Sequence, residues 1–215
     1  MRIIKPNFEE MVPTGGVRLL RHIDKSEEKV TEDIWFKFVR KLVKNNPLSM
    51  VELTLPLSVK FTVDRGVSHE IVHSRLFPSA QESTRHCNHD SDHITFICPC
   101  WFKDSLRTID DVEFTCSEEA KVCWDGAEVA WVSSMLEAEK TYKQLINTFK
   151  WSPQQAHSVL PTSLKTEIIV TGTVRDWRQF FELEAGKSAH PQMREIAQAL
   201  LTHWQEKYPV IFEGL

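Results

Sequence analysis

Polar and apolar positions along the chain predict a mixture of strands and helices. Met50-Val-Glu-Leu-Thr-Leu55 alternates apolar and polar residues, as a half-buried strand does. Upstream, Ile34, Phe36, Phe38, Val39 and Leu42 give an apolar side to a segment that begins at Thr31. Thr31 suits an N-cap with acidic residues in the first turn, and Asn45-Asn46-Pro47 stops the helix. Pro13-Thr14-Gly15-Gly16 reads as a turn, followed by a short strand over 17–21.

Val59, Val63, Val67, Ile71 and Val72 keep a helical spacing and predict a helix from about Ser58 to His73, with Gly66 inside it. Glycine in a helix interior costs ~1 kcal/mol relative to alanine. Close packing or ligand approach is therefore expected at Gly66. Residues 94–97 read as a strand, and the stretch from about Lys103 to Val132 has no clear period. Met135, Leu136, Ala138, Tyr142, Leu145 and Ile146 mark an amphipathic helix from Ser134 to Thr148. Ser152-Pro153 opens a short helix, with serine as N-cap and proline at the first position. A strand over 167–171 and helices from Arg175 to Leu183 and Pro191 to Lys207 complete the chain. This order indicates an α/β (α+β) fold, a mixed sheet flanked by helices, and does not fit a regular βαβ series. We find no internal repeat and expect a single domain over residues 1–215.

Composition changes this picture little. Hydrophobic residues make up 41% and charged residues 26%, ordinary for a globular protein that can bury a full core. The formal charge of -4 gives no electrostatic reason to expect a nucleic-acid polymer as partner, although small anions need only a local pocket. Five cysteines, an odd count, and no apolar run after Met1 to act as a leader predict reduced thiols in the cytoplasm. No run approaches ~18 apolar residues, so no membrane helix is expected.

Candidate chemistry is concentrated between Asp64 and Asn88. Arg85 offers a planar fork of donors suited to a phosphate, and Ser83 with nearby amides could complete the cradle. A surface arginine beside a serine turn is the alternative. Cys98-Pro99-Cys100 has no second pair at zinc spacing and reads as two thiols near a strand end. His86, His89 and His93, with Asp90 and Asp92, read as a solvated loop, and no metal is expected.

Gln81-Glu82-Ser83-Thr84-Arg85-His86-Cys87-Asn88 resembles the signature of the flavin-dependent thymidylate synthases, where Gln-Glu-Ser-Thr-Arg-Tyr-Cys-Asn is typical. The preceding Arg-His-Arg of that family reads His73-Ser74-Arg75 here. The resemblance extends to the segments 49–52, 152–166, 171–184 and 189–196, in the family's order. It covers the chain from about residue 30 onward, with 103–132 poorly matched.

The resemblance implies a homotetramer binding FAD between subunits. The implied reaction moves a methylene from methylenetetrahydrofolate to C5 of a pyrimidine nucleoside monophosphate, dUMP giving dTMP. Reduced flavin, recharged by NADPH, supplies the hydride. By the same resemblance Gln81, Glu82, Ser83 and Arg85 line the nucleotide pocket, and Ser49, Arg75 and Arg175 lie near the flavin. Arg75 could instead complement a helix C-terminus, and Arg175 could be a solvated helix-start residue. Ser49 could be a turn or capping residue. No catalytic residue is assigned.

The departures fall on ligand positions. His73 and Ser74 replace Arg and His, His157 replaces a phosphate-binding Arg, and Glu184 replaces an Arg that faces the pyrimidine. Three fixed positive charges become two histidines and a carboxylate. Removing the partner of a buried anion costs ~3–5 kcal/mol. The alternatives are therefore a relative acting on another nucleotide such as dCMP, or a non-catalytic paralogue that keeps the fold as a subunit or binding module.

Overall fold

A computed structural model describes residues 1–11, 56–83, 93–102, 126–209 and 211–215, and the backbone of 111–113. The expected turn at 13–16, the strands at 17–21 and 50–55, the helix from Thr31, Ser49, Arg85, His86 and His89 lie outside the described residues.

The described elements, in chain order, are β1 (Arg2–Ile4), β2 (Asn7–Met11), β3 (Leu57–Asp64), α1 (Arg65–His73), β4 (Ser79–Gln81), β5 (Thr95–Ile97) and β6 (Asp111–Glu113). They continue with α2 (Gly126–Asn147), α3 (Pro153–Ala156), a 3-10 turn (His157–Val159), β7 (Lys165–Gly172), α4 (Val174–Glu184) and α5 (Pro191–Lys207). One sheet has the order β5-β1-β6, and the other β2-β3-β7-β4. The fold is mixed α/β, as the sequence predicts. No helix among the described residues is long and apolar enough to cross a membrane.

The predicted helix from Ser58 to His73 is half wrong: its first part is the strand β3. Leu57, Val59, Phe61 and Val63 are buried, the period-2 row of a strand. Four residues from Val59 to Val63 is a multiple of two as well as about one helical turn, so the spacing fits both structures. Branched and aromatic side chains favour the strand. Asp64 ends β3 and starts α1, its Oδ1 accepting the Val67 N–H at 2.9 Å as an N-cap oxygen does. Gly66 is thus near the helix start rather than in its interior. A Cβ there would meet Asp64 Oδ1 at 2.9 Å, the close packing its sequence position suggested.

Two compact units divide the chain. The first comprises 1–7, 62–70 and 81–168. In it β1 pairs in parallel with β5 and antiparallel with β6, with Ile3 opposite Phe96 and Val112. Its core gathers Ile3, Ile94, Phe96, Val132, Met135, Tyr142 and Leu164. Helix α2 starts eight residues before the predicted Ser134, because Glu128 sits in its buried stripe and breaks the apolar pattern there. Glu139 accepts from Lys143 Nζ at 2.6 Å, and its other oxygen lies 2.7 Å from the Met1 amino nitrogen. Cys98, which is buried, follows β5 directly, and Cys100 stands two residues further on.

The second unit comprises 8–61, 71–80 and 169–215. An aromatic core fills it: Trp177 packs on Phe77 at 4.3 Å and on Trp204 at 4.8 Å, and Phe181 meets Phe212 at 5.6 Å. Trp177 Nε1 donates to the Leu57 carbonyl at 3.0 Å, which satisfies the indole inside an apolar cluster. Helix α4 begins with a capping box in which Thr173 and Asp176 satisfy each other's donors. Helix α5 spans the predicted residues, with Pro191 at its first turn.

Candidate functional site

Gln81 closes β4 in the first unit. Its Nε2 donates to Ser68 Oγ on α1 at 2.9 Å and to Thr166 Oγ1 on β7 at 3.2 Å. Ser68 and Thr166 are fully buried hydroxyls, so the amide is held by groups that water does not reach. Glu82 follows. Its N–H donates to the Glu167 carbonyl at 2.8 Å, and its carboxylate pairs with Lys165 at 3.2 Å. Lys165 also pairs with Glu167 at 3.1 Å. Ser83 is exposed. The structure therefore anchors the start of this loop on β7 and leaves its third residue open to solvent. In the same unit His157 opens the 3-10 turn and is half-buried.

Ser68, Thr166 and Lys165 were not singled out from sequence. Thr166 carries a usable signal: it is the polar residue of the buried row Leu164, Thr166, Ile168, Val170. A hydroxyl in a dry row requires a partner.

In the second unit, α1 ends at His73, which is exposed. Ser74 donates its hydroxyl to the Ile71 carbonyl at 2.6 Å, a local helix-end bond that uses its proton. Arg75 is exposed with φ 56°, the left-handed region that caps helices and that non-glycine residues rarely adopt. Its N–H reaches the Val72 carbonyl at 3.2 Å. Arg175 is the second residue of α4 and is exposed, and Glu184 is the last residue of α4 and half-buried.

A carboxylate already serves the start of α4. Asp176 Oδ2 accepts the Thr173 N–H at 2.9 Å and the Thr173 hydroxyl at 2.7 Å. An anionic cofactor near this helix would accordingly meet the Arg175 guanidinium rather than the capped end. Among the described residues of the second unit, Arg75 and Arg175 are each exposed, and a guanidinium is a group suited to phosphate oxygens. Among the described residues, no three His, Cys, Asp or Glu side chains gather as metal ligands.

Comparison with known proteins agrees with this class of fold. A family model described as thymidylate synthase complementing protein matches residues 9–210. Curated relatives carry the name flavin-dependent thymidylate synthase. One from Mycobacteroides abscessus is 26% identical over 178 residues, covering 81% of this chain and 67% of the relative. One from Corynebacterium diphtheriae is 26% identical over 181 residues, with the same coverage. One from Corynebacterium aurimucosum is 28% identical over 151 residues, covering 70% of this chain and 58% of the relative. The chain belongs to the thymidylate synthase complementing protein family, the flavin-dependent thymidylate synthases.

Proposed function

We propose that this chain, as a single domain and in a cytoplasmic homotetramer, binds FAD and a pyrimidine nucleoside monophosphate. In this reading it transfers a one-carbon unit from methylenetetrahydrofolate to C5 of the nucleotide, dUMP giving dTMP. The family match across residues 9–210 carries this proposal. Bound flavin, reduced by NADPH, would supply the hydride. The chain's own residues bind and orient. Gln81, Glu82, Ser83 and Arg85 take the nucleotide, with Arg85 on its phosphate. Ser49, Arg75 and Arg175 take the flavin, the two arginines on its diphosphate.

Ser74 supports a second reading. Its hydroxyl proton is committed to the Ile71 carbonyl, at a position where the resemblance places a histidine. A non-catalytic subunit that still binds nucleotide is consistent with that change, and so is the half-buried Glu184 in a relative that prefers dCMP.

The test is the absorption spectrum and ligand content of the purified protein, then dUMP and dCMP titration. A yellow protein that NADPH bleaches and that forms dTMP supports the synthase. A colourless protein that binds either nucleotide supports the subunit. Binding of neither nucleotide removes both readings.

A further inference from the structure

The polarity of Gln81 is set by the groups behind it. A primary amide has two N–H donors and one carbonyl acceptor. Both donors are used, one on Ser68 Oγ and one on Thr166 Oγ1. Which end of the amide faces these hydroxyls follows from Ser68. Its single proton is donated to the Arg65 carbonyl at 3.1 Å, and a carbonyl can only accept. With its proton on the Arg65 carbonyl, Ser68 Oγ meets Gln81 as an acceptor. With the amide turned over, the Ser68 hydroxyl would have to give up the Arg65 carbonyl to put a proton on the amide oxygen. Ser68 and Thr166 are both 0% exposed, so water cannot take the place of either hydroxyl. Among the described residues, Gln81 Oε1 carries no hydrogen bond, and Gln81 is half-buried.

We propose that Ser68 and Thr166 are positioning residues that make Gln81 an acceptor-only group toward the nucleotide. The base must then present an N–H to Oε1. Uracil satisfies this through its N3–H, and cytosine through its N4 amino group. A base edge offering only acceptors is rejected, because its lone pairs would oppose Oε1. The inference rests on the reading of Gln81 as part of the nucleotide pocket.

A double-mutant cycle read by calorimetric titration of dUMP tests it, on wild type, Gln81→Ala, Thr166→Val and the double variant. Thr166→Val keeps the side-chain shape and removes the acceptor. It should weaken dUMP about five- to ten-fold, the range of one hydrogen bond. Thr166→Ser, which keeps the oxygen, should stay within about two-fold of wild type. In the Gln81→Ala background Thr166→Val should add nothing, because its effect passes through the amide. A merely structural threonine would give the same loss in both backgrounds. That additive result overturns the inference, as does an unchanged affinity for Thr166→Val alone. Ser68→Ala in the same cycle serves if Thr166→Val fails to fold. A wild type that binds dUMP but gives an additive cycle overturns this inference only. One that binds neither dUMP nor dCMP overturns the pocket reading and the inference together.

Discussion

A Cβ at Gly172 would stand 2.4 Å from two carbons of the Phe77 ring. Contacts that short do not occur, so either the ring or the backbone must move. The ring has little room, being buried against Trp177 at 4.3 Å and Phe180 at 5.6 Å. Interiors packed to crystal density transmit such strain instead of absorbing it. Gly172→Ala should therefore cost about 1–3 kcal/mol, as overpacked core substitutions do. Urea unfolding reads this as a lower midpoint at unchanged slope. An unchanged midpoint would mean that Phe77 retreats freely. Gln81 makes the opposite use of close packing, since its fixed neighbours select a donor and acceptor arrangement rather than a size.

The junction of β3 and α1 is where one residue serves two elements. Asp64 completes the strand and supplies the oxygen that the first turn of α1 needs. Asp64→Ala should lower stability by about 1–2 kcal/mol, the cost of losing a good N-cap. Asp64→Ser, which keeps a capping oxygen, should lose less, and equal losses in denaturant titrations would count against capping. The same junction marks the limit of what the sequence made legible. Helix α5, bounded by Pro191 and a regular apolar stripe, was readable to the residue, and α4 to within one residue at each end. β3 was misread because a spacing of four satisfies both periods. The first two turns of α2 were hidden because a carboxylate, Glu128, opens its buried stripe. At the candidate site the loop from Gln81 was legible as a string of residue types. Its support was not, since Ser68 and Thr166 stand 13 and 85 residues away and leave no local pattern.

Glu10 joins segments almost two hundred residues apart. From β2 its Oε1 accepts the Tyr208 hydroxyl at 2.8 Å, while Oε2 lies 2.9 Å from Lys207 Nζ and 3.2 Å from His203 Nε2. The side chain is 8% exposed. Burial pushes this carboxyl up, but hydrogen bonds from Lys207, Tyr208 and His203, with the Lys207 charge, more than offset it. The carboxyl titrates below the ordinary 4.5. A folded-state value below the unfolded one gives stability that is present above the unfolded value. That stability is lost as pH falls through the folded value. The contribution should accordingly hold at neutral pH and fade below about pH 4.5. Glu10→Gln keeps the shape and an acceptor but cannot ionise. Its stability deficit against wild type should be largest near pH 7 and shrink as the pH approaches about 3. Urea unfolding of both proteins across that range measures the difference. A deficit constant with pH would show that shape, and not the ionised carboxylate, holds β2 to the end of α5.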